Sequence, residues 1–257
     1  MDLNLKGKTA LVCGSTQGIG WASAQALAAM GARCILFSRS ADKLDARVKE
    51  LGEGHDFISA DFSNPEEVRQ VISERIVKEN IHILINNTGG PPGGKISEAE
   101  TDAFLLAYNQ HLICNHIITT AVLDGMKKDQ YGRIVNVIST SVKIPLNGLG
   151  VSNTTRGAVA SWSKTMANEL AEYGITVNNV LPGATETGRL KSIIENKSNK
   201  LSKDYSEVEK GMLSVIPMKR FGQPEEIANV IAFLTSPSAA YVTGQSICVD
   251  GGRTGSI

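Results

Sequence analysis

The stretch TALVCGSTQGIG, residues 9 to 20, places a short apolar run directly before a glycine-rich segment. A short apolar run of this kind is typical of a buried strand, and the glycines after it permit a tight turn into a helix. Backbone N–H groups at the positive end of such a helix can hold a pyrophosphate. The stretch therefore predicts the first strand, turn and helix of a dinucleotide-binding sheet, although its spacing is G-x-x-x-G-x-G rather than the general G-x-G-x-x-G.

The rest of the chain repeats this alternation of short apolar runs and longer helical patterns. Further buried strands are predicted at residues 34–39, 56–61, 82–87, 133–139, 176–182 and 246–251. Alternating strands and helices predict a parallel sheet with helices on both faces. No repeat, low-complexity tract or linker divides the chain, so we predict one α/β domain over residues 1–257, a Rossmann-type doubly wound sheet with strand order 3-2-1-4-5-6-7.

Composition excludes several classes of function. The 257 residues carry 26 basic and 26 acidic side chains, so no charge excess favours nucleic acid or an acidic membrane surface. The four cysteines lie far apart without a C-x-x-C pair, and we expect buried thiols and no metal site. No signal peptide and no apolar run of the ~18 residues that a membrane helix needs is visible, so we expect a soluble cytoplasmic protein with a small-molecule substrate.

Residues 188–216 interrupt the alternation with a polar, lysine-rich helical insertion. A solvated pair of surface helices is one interpretation. The insertion leaves the carboxyl end of a predicted strand, where such sheets bind ligands, and its apolar members could close over a cleft. We therefore favour a substrate lid, with Leu190, Ile193, Ile194, Met212 and Leu213 as its inner face.

The end of the second predicted strand indicates which dinucleotide is bound. It ends in Ser38-Arg39-Ser40, and the nearest acid, Asp42, already lies in the next turn. An acid at this point binds the ribose 2′-OH of NAD, whereas an arginine accommodates the 2′-phosphate of NADP. Arg39 could be merely solvated, but its position favours NADP(H), with NAD as the alternative.

Taken together, the motifs resemble those of the short-chain dehydrogenase/reductase family, closest in pattern to its ketoacyl-carrier-protein reductase branch. The resemblance runs nearly from end to end. It is carried by GSTQGIG (14–20), Asp61, NNTGG (86–90), RIVNVIS (133–139), PGATET (182–187) and VTGQSICVDGG (242–252).

The resemblance also implies where the cofactor binds. Asp61 and Phe62 would flank the adenine, Asn87 and Gly89 would line the cofactor, and Pro182, Gly183 and Thr187 would hold the nicotinamide carboxamide. With the glycine-rich turn and the second strand end, the other predicted cofactor residues are Gly14, Ser15, Gln17, Gly18, Ile19, Gly20, Ser38 and Arg39.

The family's catalytic set of Asn, Ser, Tyr and Lys is mostly replaced. Ser139 occupies the serine position, but the tyrosine position thirteen residues later is Ser152 and the lysine position is Arg156. No Tyr-x-x-x-Lys sequence occurs anywhere in the chain. Counting back from residues 121–126 places His111 at the asparagine position, to within one helical turn.

The replacements change which group could move a proton. A lysine can lower the phenolic pKa of a tyrosine into a useful range, whereas an arginine cannot make a serine an effective acid near neutrality. Ser139 and Ser152 could still hold a carbonyl oxygen, and Arg156 could supply positive charge. Histidine titrates in the range needed for acid–base work, so we expect His111 to be the proton source. A packed, non-catalytic His111, or a role for His116 one turn further on, are the alternatives.

Two functions fit these observations. We expect an NADP(H)-dependent oxidoreductase that acts on a carbonyl or alcohol through a non-standard active site. The alternative is a catalytically inactive nucleotide-binding sensor or assembly protein. The resemblance also implies a homotetramer built from the helices at about 97–128 and 152–173 and from the last strand.

Overall fold

The computed structural model describes residues 1–76 and 78–255, and its centre is one parallel sheet of seven strands. The strand order β3-β2-β1-β4-β5-β6-β7 confirms the prediction from the sequence. The strands are β1 (Thr9–Cys13), β2 (Arg33–Ser38), β3 (Asp56–Ser59), β4 (Ile83–Asn86), β5 (Gly132–Val137), β6 (Ile175–Pro182) and β7 (Ser246–Val249).

Helices cover both faces of this sheet. The α-helices are α1 (Gly18–Ala29), α2 (Ala41–Leu51), α3 (Pro65–Val71), α4 (Thr101–Tyr108), α5 (Cys114–Lys128), α6 (Gly150–Leu170), α7 (Gly188–Leu201), α8 (Tyr205–Ser214) and α9 (Pro224–Thr235). Strand residues alternate between two cores, as the period of two in a strand requires: Leu11 and Cys13 pack with α3, α5 and α6, whereas Ala10 and Val12 pack with α1, α2 and α9.

The order of the strands fixes where a ligand can bind. The strand β1 pairs with β2 on one side and with β4 on the other, so the chain changes direction across the sheet at this point. Ligands of open α/β sheets bind in the crevice outside the carboxyl ends of the strands at such a switch point. The glycine-rich turn after β1 and the loop after β4 both lie there.

The predicted helix at 97–128 is interrupted. A π-helical turn, Asn109–Ile113, joins α4 to α5, and His111 lies in its middle. Such single turns inside α-helices are rare and often occur at functional sites.

The insertion after β6 forms the two helices α7 and α8. Their apolar side chains pack in a small cluster of their own, which contains Leu190, Ile194 and Val208. Of the predicted inner face of the lid, Leu190 and Ile194 lie in this cluster and Met212 and Leu213 pack against it, whereas Ile193 is not among its members. None of the helices in residues 1–76 and 78–255 is long and apolar enough to cross a membrane.

Candidate active site

The glycine-rich turn is tied to the end of β2. The N–H of Gly14 donates to the Phe37 carbonyl over 2.7 Å, and the Phe37 N–H donates to Ser15 Oγ over 3.0 Å. Gly14 has φ +62°, and a Cβ there would overlap the Asn87 carbonyl oxygen. A side chain at this position is therefore excluded both by backbone conformation and by the loop after β4. Ser15, which is fully buried, has a structural role as the acceptor that holds the turn.

The cleft above this turn suits a pyrophosphate. Gly18, with φ +56°, begins α1, and a Cβ there would lie 3.1 Å from Thr187 Cγ2. Gln17, the exposed residue before the helix, makes no side-chain cap, and the first turn of α1 carries no acid. The first N–H groups of α1 therefore retain their capacity to bind an anion. A dinucleotide requires the backbone to come close to its pyrophosphate, and a Cβ at Gly14 or Gly18 would obstruct this region. These residues therefore fit the cofactor.

The predicted cofactor residues that follow β4 and β6 are held in place by hydrogen bonds to backbone atoms. Asn87 Nδ2 donates to the Cys13 and Gly14 carbonyls over 3.2 and 3.4 Å, and Gly89 is exposed. Gly183 N donates to Val249 O over 2.9 Å, directly after Pro182 at the end of β6. Thr187 caps α7, since its Oγ1 accepts from the N–H of Leu190.

At the far end of the cleft, Arg39 lies exposed immediately after β2. The Asp61 pKa is lowered chiefly by the hydrogen bond from the Ser63 N–H and, to a smaller degree, by the charge of Arg39, so Arg39 and Asp61 face the same region. The ring of Phe62 packs on Phe37 with centroids 4.8 Å apart. Its side chain therefore belongs to the core, and only its backbone can flank an adenine.

Arg47 is a neighbour of this region that the sequence did not reveal. Its Nε donates to the Thr16 carbonyl over 3.1 Å, and its guanidinium lies 4.5 Å from the ring centroid of Trp21. Arg47 thus braces the glycine-rich turn from α2. A helical arginine of this kind is indistinguishable from a solvated one in the sequence.

At the other end of the cleft, one candidate serine lies just after β5 and the other lies in α6. Ser139 follows β5 and caps a short 3₁₀ turn, because its Oγ accepts from the Ser141 N–H over 3.1 Å. This contact uses an acceptor site only, so the hydroxyl proton of Ser139 remains available to a ligand. Ser152 is half-buried in the first turn of α6, four residues before Arg156 and therefore on the same helical face.

Arg156 joins the ends of two central strands. It is 7% exposed, and its guanidinium donates to Val137 O over 3.0 Å and to Thr88 O over 3.4 Å. Burial first, and then the charge of Arg189, lowers the Arg156 pKa to about 10. The group remains a cation at neutral pH, bonded to a carbonyl that lies two residues before Ser139.

His111 lies behind this cation and is completely buried. Its Nδ1 atom is 2.5 Å from Thr88 Oγ1, and its Nε2 atom has no hydrogen-bond partner in the described part of the chain. Burial, followed by the charges of Arg156 and Arg189, lowers the His111 pKa to about 2. The expectation that His111 titrates near neutrality is therefore wrong, because burial and the charges of two arginines disfavour a third positive charge in this site.

The alternative histidine lies elsewhere. His116 is exposed on α5 and contacts the edge of Trp162, with ring centroids 6.3 Å apart. Of the two histidines, His111 is the one that contacts Thr88 and whose pKa is lowered, after burial, by the charge of Arg156.

Thr88 and Arg189 are members of the site that the sequence analysis missed. Arg189, in the first turn of α7, donates to the Pro91 carbonyl over 2.5 Å. Thr88 lies inside the motif at residues 86–90, and Arg189 follows Thr187 by two residues, so both were adjacent to recognised positions. Within the lysine-rich insertion, nothing in the sequence distinguishes Arg189 from a solvated cation.

No group of three His, Cys, Asp or Glu side chains within residues 1–76 and 78–255 is placed to hold a metal ion.

Comparison with known proteins gives matches over nearly the whole chain. Residues 14–254 match the family model described as enoyl-(acyl carrier protein) reductase. The 3-oxoacyl-[acyl-carrier-protein] reductase FabG of Vibrio cholerae is 34% identical over 254 residues, which are 97% of this chain and 98% of that protein.

Two solved structures extend the comparison. L-Sorbose reductase from Gluconobacter frateurii, complexed with NADPH and L-sorbose, superimposes with a TM-score of 0.92 at 29% identity, covering 100% of both chains. A variant of actinorhodin polyketide ketoreductase with NADPH gives 0.90 at 31% identity, covering 97% of this chain and 98% of that one. The parallel sheet, the glycine-rich turn after its first strand and these matches along the whole chain show that the protein belongs to the short-chain dehydrogenase/reductase family of oxidoreductases, on its ketoacyl-reductase-like side.

Proposed function

We propose that this protein is an NADP(H)-dependent oxidoreductase that interconverts a carbonyl and an alcohol on a small molecule. One observation carries the proposal: the buried Arg156 cation bridges the carboxyl ends of β4 and β5 beside Ser139, on the ligand side of the sheet. A buried charge is costly unless it is compensated, so its retention here favours a role in binding or chemistry.

Each residue has a distinct task in this proposal. The hydroxyls of Ser139 and Ser152 donate hydrogen bonds to the substrate oxygen. Arg156 supplies the positive charge that stabilises this oxygen as it gains negative charge during reduction. When bound, the nicotinamide supplies or accepts the hydride.

The proton then has to come from solvent. At neutral pH His111 is an uncharged imidazole, with one nitrogen as donor and the other as acceptor. His111 Nδ1 releases its proton through the Thr88 hydroxyl towards the substrate, and Nε2 takes up a proton from water. The imidazole changes tautomer and stays neutral, and hydroxide is left in the solvent. His111 is thus a proton relay in this proposal and not an acid.

The helices α7 and α8 are proposed as a lid over this site. The contact from Arg189 to the Pro91 carbonyl ties the first turn of α7 to the loop after β4. Because that loop lines the cleft, breaking the contact would change access to it.

The proposal is tested by NADPH oxidation over a panel of ketones, hydroxyketones and enones, with direct measurement of NADPH affinity. We expect consumption with at least one ketone. Tight NADPH binding without consumption of any substrate would favour the alternative, a nucleotide-binding sensor or assembly protein. Creation of a reductase by Ser152→Tyr with Arg156→Lys would support that alternative further.

Cofactor preference depends on Arg39 in this proposal. We expect Arg39→Ala to remove most of the preference for NADPH over NADH, because a charge-assisted phosphate contact contributes roughly tenfold to a hundredfold in affinity. Fluorescence titration with both nucleotides measures the effect. Lys49→Ala, which removes an exposed cation at the other end of α2, is the control. Equal affinities of the wild type for both nucleotides would contradict the assignment.

Assembly as a homotetramer is a second part of the proposal. On α4, three large apolar side chains are exposed: Leu105 at 63%, Leu106 at 46% and Tyr108 at 44%. Such a cluster on a single helix is typical of a surface covered by another subunit. We expect light scattering to give a tetramer at micromolar concentration and Leu105→Glu with Leu106→Glu to give smaller species. A monomeric wild type would contradict the expectation.

A further inference from the structure

We propose that the substrate is an oxo acid or hydroxy acid whose carboxylate is bound by Arg189, with Arg156 beside it. This inference rests on the proposed function, since it names the class of substrate for the same site. It starts from the loop at residues 88–91, on which two arginines from different helices converge.

The geometry places both guanidinium groups over one glycine. Arg156 donates to the Thr88 carbonyl and Arg189 to the Pro91 carbonyl. A Cβ on Gly90 would lie 3.3 Å from Nη2 of Arg189 and 3.7 Å from Nη2 of Arg156. The two Nη2 atoms are therefore within about 7 Å of each other, a separation that one carboxylate can span with a charge-assisted hydrogen bond of ~2.8 Å on each side.

The charges of this region are not balanced by the protein. In the part of the chain that the structure describes, neither Arg156 nor Arg189 pairs with an Asp or Glu. His111, on which the charges of both arginines act, is uncharged at neutral pH. Two like charges held close together repel each other until an anion binds between them. Burial is the main cause of the lowered pKa of Arg156 and of His111, and the charges of the neighbouring arginines are the next cause.

The dinucleotide brings its own binding groups for its phosphates. The 2′-phosphate is assigned to Arg39 at the far end of the cleft, and the pyrophosphate to the N–H groups of the glycine-rich turn, which lies against Thr187. A nicotinamide is neutral when reduced and positive when oxidised, so it brings no negative charge to the arginines. An uncharged substrate, such as the L-sorbose in the structure of the related reductase, would leave both arginines uncompensated. A planar carboxylate fits the planar guanidinium fork.

The experiment compares oxo acids with their uncharged esters. Pyruvate, acetoacetate and the methyl ester of each are offered with NADPH to the wild type, to Arg189→Ala and to Lys197→Ala, which removes an exposed cation from the same helix. We expect a higher kcat/KM for an acid than for its ester in the wild type. Arg189→Ala should lower the value for the acid by about 10- to 100-fold more than the value for the ester, because the lost Pro91 contact affects access for both substrates, whereas the lost charge affects only the acid. The NADPH affinity should stay nearly unchanged. Lys197→Ala should resemble the wild type.

A binding measurement separates this inference from the proposed function. Titration of each oxo acid into the NADP⁺-bound protein reports affinity without any turnover. Binding that weakens at least tenfold in Arg189→Ala supports the inference even if no substrate is reduced. Equal loss for acid and ester, reduction of esters alone, or no binding of either acid would overturn it. A loss of NADPH affinity in Arg189→Ala would also overturn it, because Arg189 would then serve the cofactor.

Discussion

Replacing Arg156 with alanine is expected to lower kcat by about 10²- to 10³-fold, the effect of removing one group that stabilises an oxyanion. The guanidinium is the only buried cation within the described residues that bridges the ends of β4 and β5. Its removal also leaves the Val137 and Thr88 carbonyls without a donor, which costs about 1–3 kcal/mol of folding free energy. We therefore expect a folded but less stable protein that turns over poorly.

The measurement combines steady-state kinetics with urea unfolding. Arg156→Lys retains the charge but loses the planar fork, so its kcat should lie between those of the wild type and Arg156→Ala. Arg69→Ala, an exposed arginine on α3, is the control for loss of a cation. A folded Arg156→Ala protein with unchanged kcat would refute the role assigned to Arg156.

The pH dependence of His111 should appear in stability and not in catalysis. Its folded pKa of about 2 lies below the unfolded value near 6.5, so the unfolded chain takes up the proton first as the pH falls. The contribution of neutral His111 to the free energy of unfolding is fully present above pH 6.5. It is lost as the pH falls towards 2, by about 1.4 kcal/mol for each pH unit. His111→Asn cannot titrate, so its free energy of unfolding should fall less between about pH 7.5 and 4.5 than that of the wild type.

In the same variant, kcat should fall by up to about 10²-fold. The factor should be similar at every pH from about 6 to 8, because His111 is neutral and relays the proton throughout this range. Urea unfolding at both pH values and pH–rate profiles test the two expectations. His116→Asn, on the exposed face of α5, is the matched control. A wild-type rate that falls as the pH rises through about 6.5 would show that His111 acts as an acid after all, provided that this fall is absent from His111→Asn.

The order of strands and helices and the glycine-rich turn could be predicted from the sequence, because these features are local. Apolar runs bounded by turn residues define the strands, and a glycine is required at position 14 because φ is positive there and a neighbouring loop approaches. Ser152 and Arg156 could be located in the same way, by their fixed spacing from Ser139. That they replace the family's tyrosine and lysine stays a prediction.

The protonation of His111 and the position of Arg189 were decided only by the tertiary structure. Counting along a helix located His111, but its pKa depends on burial and on two arginines that are 45 and 78 residues away in the chain. Arg189 belongs to a polar helix in which most cations are solvated, and only the docking of α7 against the loop at residues 88–91 brings it over Gly90. Local sequence thus determined which groups this protein carries, whereas long-range packing determined which of them are charged and meet, because electrostatic free energy depends on distance and desolvation and not on separation along the chain.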